Sequence, residues 1–168
     1  MGLYDKLTLG EAILNAERVE KVNLDNNGKI EKLIELAIAD RKKSYKFLKR
    51  LRKKFDTFYK LREYLQSKYR REEGEIFLSP EIYDLIGGDC DDQARILLAM
   101  APFYFKKTYV KDIGLAVIGR ENPTHIAMVL NGIFNDCLPY PINGKIKVFY
   151  DRVLSKEEVD KLWSIPMF

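Results

Sequence analysis

The sequence predicts an α+β fold, with a helical N-terminal half followed by a cysteine-bearing helix packed on a small antiparallel sheet. Three observations predict it. Apolar residues recur at helical spacing through most of the first hundred residues. Gly87-Gly88-Asp89-Cys90 then opens the most apolar helix of the chain, where Ala94, Leu97, Leu98 and Ala101 fall at i, i+3, i+4 and i+7. From Gly114 onward the pattern changes to period two, with Asn131-Gly132 as a hairpin turn.

Composition bounds what these elements can belong to. A chain of 168 residues, 46% hydrophobic and 32% charged, suits a single soluble domain with a real core. The longest apolar run, Ile96 to Phe105, contains Pro102 and has ten residues, short of the roughly 20 that a membrane-spanning helix needs. Met1 to Gly10 carries Asp5 and Lys6 and lacks the apolar core of a secretory signal, so a cytoplasmic location is expected and no membrane partner. Two cysteines 47 positions apart form neither a disulfide framework nor a CxxC pair, and one histidine does not build a zinc site. No metal and no cofactor is expected. Asp89, Asp91, Asp92 and Asp136 offer hard oxygens, but their spacing lacks the glycine and glutamate of a calcium loop.

In chain order, Thr8 and Glu11 read as a capping box, and Leu9, Ala12, Ile13, Ala16 and Val19 continue a first helix to about Val22, ended by the Asn23 to Gly28 turn cluster. A second pattern, Ile30, Leu33, Ile34, Ala37 and Ile38, runs on through Tyr45, Leu48, Phe55 and Tyr59. It predicts one long helix, or two abutting ones, from about Lys29 to about Arg71. Ser79-Pro80 marks a short helix start. Strands are expected over Gly114 to Gly119, His125 to Leu130, Ile133 to Leu138 and Lys145 to Tyr150, and a final helix from Lys156 with Ser155 and Glu158 as its capping box and Trp163 packed on the body.

Charge is segregated. Arg41 to Lys54 holds nine Lys or Arg and no acid, which reads as a solvated helix face or as a surface for nucleic acid or an acidic partner. Glu72 to Asp92 holds eight acids and no base, so the approach to Cys90 favours cationic groups, and a lysine-containing amide, or an amine acceptor, is expected over an acidic peptide.

Cys90 falls in a first helical turn, where unpaired amides and the positive end of the helix dipole favour a thiolate. The alternative is a small buried hydrophobe, the usual fate of a free cysteine. The hairpin supplies a geometric expectation. A two-residue loop at Asn131-Gly132 pairs Leu130 with Ile133 and Ala127 with Asp136, so His125 and Asp136 share one face as diagonal neighbours while Cys137 points to the other. Cys90 Sγ is then expected near one ring nitrogen of His125, with Asp136 on the other.

The string GGDCDDQARILLAM, followed by HIAMVLNGIF and Asp136, resembles the transglutaminase-like (papain-like thiol) superfamily, and the resemblance extends over about Phe55 to Tyr140. It departs from the family pattern at Met128 and in the sequence after Asp136. The resemblance implies a transglutaminase-like core over residues 55–168 with a helical N-terminal extension over 1–54, and a triad of Cys90 as nucleophile, His125 as base and acid, and Asp136 as the orienting group. It implies hydrolysis or acyl transfer at a peptide or protein amide or isopeptide through a thioester. The Cys90 amide is one expected oxyanion donor, and Tyr83, Gln66 and Tyr69 are candidates for a second. The competing class is a non-catalytic binding or assembly module, of a virus or mobile element for example, that uses the basic helix 41–54.

Overall fold

In the computed structural model, which describes residues 17–18, 26–71, 77–138 and 146–164, a two-residue strand β1 (Glu17–Arg18) precedes helices α1 (Asn26–Lys43), α2 (Tyr45–Lys54), α3 (Phe58–Ser67), α4 (Pro80–Ile86) and α5 (Cys90–Tyr104). Strands β2 (Ile113–Gly119), β3 (His125–Leu130), β4 (Ile133–Asn135) and β5 (Lys147–Val153) follow, and α6 (Lys156–Trp163) ends the described chain. The architecture is α+β with a helical N-terminal half. The sheet order is β1-β5-β2-β3-β4, antiparallel throughout except for β1 beside β5.

Local chemistry accounts for most of the boundaries. Ser79 caps α4 by accepting the Ile82 amide, with Pro80 at the first helical position. Ser155 and Glu158 form the expected reciprocal box on α6. Asn131 and Gly132 both take positive φ, 50° and 78°, and the ladder pairs Leu130 with Ile133 as the two-residue loop requires. The indole of Trp163 donates to the Phe105 carbonyl.

Three expectations are corrected. The first helix was to cover Glu17 and Arg18, which instead pair as strand β1 with Lys147 and Val148; the remainder of that helix lies outside the described residues. The long helix from Lys29 to Arg71 is three. It breaks at Ser44 and again at Phe55, where the chain turns extended and Thr57 restarts it by accepting the Lys60 amide. The hairpin ladder also stops at Asn135, so Asp136 lies one residue beyond β4 rather than inside it.

The core lies between the helices and one sheet face. Every residue of α5 from Asp91 to Ala101 is buried, between α1 on one side and Leu115, Val117, Ile126 and Met128 on the other. Ala116, Ile118, Ala127, Phe134, Ile146 and Val148 form a smaller cluster on the opposite sheet face. Because α5 is enclosed on all sides, its polar residues need partners inside. The Arg95 guanidinium forms a two-pronged pair with Asp40 of α1, at 2.6 and 2.8 Å, and donates to the Leu78 carbonyl at 2.9 Å. Two members of the basic run serve the same helix. Arg41 donates to the Ala99 and Leu162 carbonyls with its guanidinium over the Phe103 ring, and Arg52 donates to the Phe103 carbonyl. At the surface, Arg152 of β5 grips both Glu31 and Glu158.

Breaking one half of the Arg95–Asp40 pair strands a buried charge. Asp40→Ala is expected to cost about 3–5 kcal/mol in a denaturant titration, while a joint replacement of both residues by apolar side chains of similar volume recovers most of that loss. A single-mutant cost within the few tenths typical of surface changes speaks against this role.

Candidate functional site: the cleft at the start of helix α5

The glycine pair is explained by backbone geometry. Gly87 has φ +76°, and a Cβ there would lie 2.2 Å from the Lys68 carbonyl oxygen. At Gly88 a Cβ would come within 2.4 Å of Asp92 Oδ2 and 2.9 Å of the Tyr83 ring. This close approach lets Gly88 exchange backbone hydrogen bonds with the strand-like segment after α3, Gly88 N to Lys68 O and Arg70 N to Gly88 O. Asp89 and Asp92 then close a capping box: Asp89 Oδ1 accepts the Asp91 amide, and Asp92 Oδ2 accepts the Asp89 amide. Asp92 also accepts the Leu78 amide through Oδ1. Four of the six residues in Gly-Gly-Asp-Cys-Asp-Asp therefore build the helix start. Cys90 and Asp91 are what it presents.

Cys90 is partly exposed and lines an open cleft of about 140 Å³ with Lys29, Asp91, Val117, Thr124, His125 and Ile126 among its walls. The sulfur lies 3.7 Å from Asp91 Oδ1 and receives the Ile126 amide. Burial, reinforced by the Asp91 charge, pushes the thiol well above the ordinary cysteine range. Burial also lowers the His125 imidazole below its usual value. Both groups are thus neutral at pH 7. Asp91 is offset by Lys29 Nζ at 2.8 Å, a cation from the first turns of α1 that sequence spacing gave no reason to place here.

The two other expected residues enter from the sheet. Ile126 and Met128 pack against α5, so strand alternation puts His125 in phase with Ala127, on the face of the smaller cluster; it meets the cleft as the first residue of β3. The expected Ala127–Asp136 pairing is not formed, since the ladder ends at Asn135, while Cys137 is buried in the main core. Cys90 and His125 are brought to one cleft. Asp136 is not among that cleft's walls, and its Oδ1 accepts the Leu138 amide.

The segment carrying Asp136 has left the β-ladder and is held by side chains. Its three successive carbonyls, of Asp136, Cys137 and Leu138, accept from Arg62, Gln93 and Gln66 in turn. Arg62 and Gln66 sit one helical turn apart on α3, and that i, i+4 polar pair was the one sequence signal available for the clamp. Of the candidates for a second oxyanion donor, Gln66 is committed to Leu138 and the Tyr83 hydroxyl, fully buried, to the Leu65 carbonyl.

No family model matches the chain, and neither a curated protein nor a solved structure matches it.

Two measurements follow from this geometry. Because the thiol is raised, iodoacetamide labelling of Cys90 in the folded protein is expected to climb only at pH values above the ordinary thiol pKa of about 8.5; rapid labelling at neutral pH contradicts the described environment. Gly88→Ala forces its methyl onto Asp92 and Tyr83, and is expected to lower stability by about 1–3 kcal/mol on thermal or urea unfolding.

Proposed function

We propose that the chain is a thiol-dependent amide or isopeptide hydrolase or acyltransferase with a transglutaminase-like core. Cys90 is the nucleophile, His125 the base and acid, and Asp136 the carboxylate that orients the imidazole. The observation that carries this reading is the sharing of one open cleft by Cys90, at the start of α5, and His125, at the start of β3. In this reading one ring nitrogen of His125 turns toward the sulfur and the other toward Asp136.

The chemistry then runs in two halves. His125 takes the Cys90 proton as sulfur attacks the amide carbon, and the C–N bond breaks as the imidazolium returns that proton to the leaving amine. The resulting thioester is resolved when water or a second amine, deprotonated by the neutral imidazole, attacks the same carbon and expels the thiolate, which regains the proton. The Cys90 amide at the positive end of α5 supplies one donor for the oxyanion. Since burial favours the neutral thiol and neutral imidazole, the ion pair forms only as substrate closes the cleft.

The substrate in this reading is a lysine-containing amide or a lysine acceptor. Asp91 is the carboxylate in the cleft walls, and it holds an ammonium already, that of Lys29. An incoming ammonium takes the same place by exchange. A non-catalytic binding module is favoured by one observation, the raised thiol, and the same assay separates the two.

Matched fluorogenic amides differing only in Lys or Glu beside the scissile bond provide the test. Turnover is expected for the Lys substrate, with none in Cys90→Ala and a loss of about 100-fold or more in His125→Ala. Lys29→Ala is expected to increase the Lys-over-Glu preference by freeing Asp91. Turnover that survives in Cys90→Ala refutes the nucleophile; absence of any thiol-dependent turnover across amide, isopeptide and amine-acceptor substrates leaves the binding module standing.

A further inference from the structure

The helix break at Ser44 creates a recess that the thiol chemistry does not use. The last turn of α1 and the first turns of α2 enclose a cavity of about 300 Å³ lined by Lys42, Lys43, Lys46 and Arg50, with Glu81 of α4 as its one acid. All four cations are exposed, and none forms an ion pair among the described residues. They differ in this from Arg41 and Arg52 of the same run, whose guanidinium groups are spent on the carbonyls of Ala99, Leu162 and Phe103.

We infer that this cavity binds a phosphate of a nucleic-acid backbone, and that α2 carries the strand onward. The row of charge does not stop at the recess. Lys49, Lys53 and Lys54, all exposed, continue it at three- and four-residue spacing to the end of the ten-residue helix, a length of about 15 Å. A single small anion would fill the cavity and leave those three cations unmatched; a chain of phosphodiesters matches both. Tyr45, stacked on Phe103 and beneath Arg41, and Phe47, beneath Arg50, form a packed wall that holds the cations around the cavity. An acidic protein partner would meet the exposed lysines with carboxylates of one charge each, whereas a phosphodiester chain presents its charges at the regular spacing that the row along α2 matches.

The test is fluorescence anisotropy of a labelled single-stranded oligonucleotide against salt concentration. Two four-site variants of equal charge are compared, one with Lys42→Gln, Lys43→Gln, Lys46→Gln and Arg50→Gln, the other with Lys106→Gln, Lys111→Gln, Arg120→Gln and Lys156→Gln. The cavity variant is expected to bind at least tenfold more weakly and to lose about 3 from the log–log salt slope, at about 0.7 per phosphate contact for a single strand. The distal variant is expected to keep the wild-type slope. Glu81→Gln, which removes the acid from the cavity, is expected to tighten binding. Equal losses in the two four-site variants would show net charge alone and overturn the site. Poly-glutamate binding as tightly as the oligonucleotide would assign the surface to an acidic protein, and oligonucleotide displacement by millimolar inorganic phosphate with no salt slope beyond one contact would reduce it to a single-phosphate pocket; either result also overturns the inference.

Discussion

A helix buried on every side sets the terms for the rest of this molecule. The residues of α5 from Asp91 to Ala101 are buried, yet four of the first five are polar or charged: Asp91, Asp92, Gln93 and Arg95. Each finds partners within the fold, because an unpaired buried polar group costs more than the bond that would satisfy it returns, and among these side chains only Gln93 Oε1 has none among the described residues. Asp92 reaches the Leu78 amide, Gln93 reaches Leu65, Tyr83 and Cys137, and Arg95 reaches Asp40 and Leu78. Five separate segments are thereby tied to one turn of helix. Apolar packing alone would allow α5 to rotate or slide; these directional bonds admit one position.

That position fixes what the start of the helix faces. With the helix start locked by the capping box and by the close approach of Gly88, Cys90 has no freedom to choose its outlook, and it faces the beginning of β3. The same polar turn sends Gln93 to the carbonyl after β4, so the piece of chain bearing Asp136 is referenced to the helix bearing Cys90. Cys90 and Asp136 are positioned by a shared internal scaffold of hydrogen bonds.

What could be read from the sequence was whatever depends on neighbours a few residues away. Caps at Ser79, Asp89 and Ser155, the Asn131-Gly132 turn and the register it imposes are all decided by short-range sterics and hydrogen bonding, and all stand as expected. The breaks at Ser44 and Phe55 were hidden because the apolar spacing runs through them without interruption; Thr57 was the available signal, overridden by periodicity. Strand β1 could not be seen at all, since its partner lies 130 positions away in register and two residues carry no pattern. At the site, Cys90 and His125 were legible as a motif. Lys29, Arg62 and Gln93 were not, because what each does is defined by a segment remote in the chain.

The grip of Arg152 on Glu31 and Glu158 bears on a different hazard. Strand β5 stands next to the edge of the sheet, where, among the described residues, Glu17 and Arg18 pair with its first two, Lys147 and Val148. Asp151 and Arg152 place charge along that border, and the guanidinium holds the Glu158 carboxyl down to about 2. The carboxylate therefore stays ionised through mild acid, where many proteins shed such charges and begin to associate. The Arg152–Glu158 pair, which ties α6 to β5, therefore keeps its charge as the pH falls, and with it the docking of the last described helix.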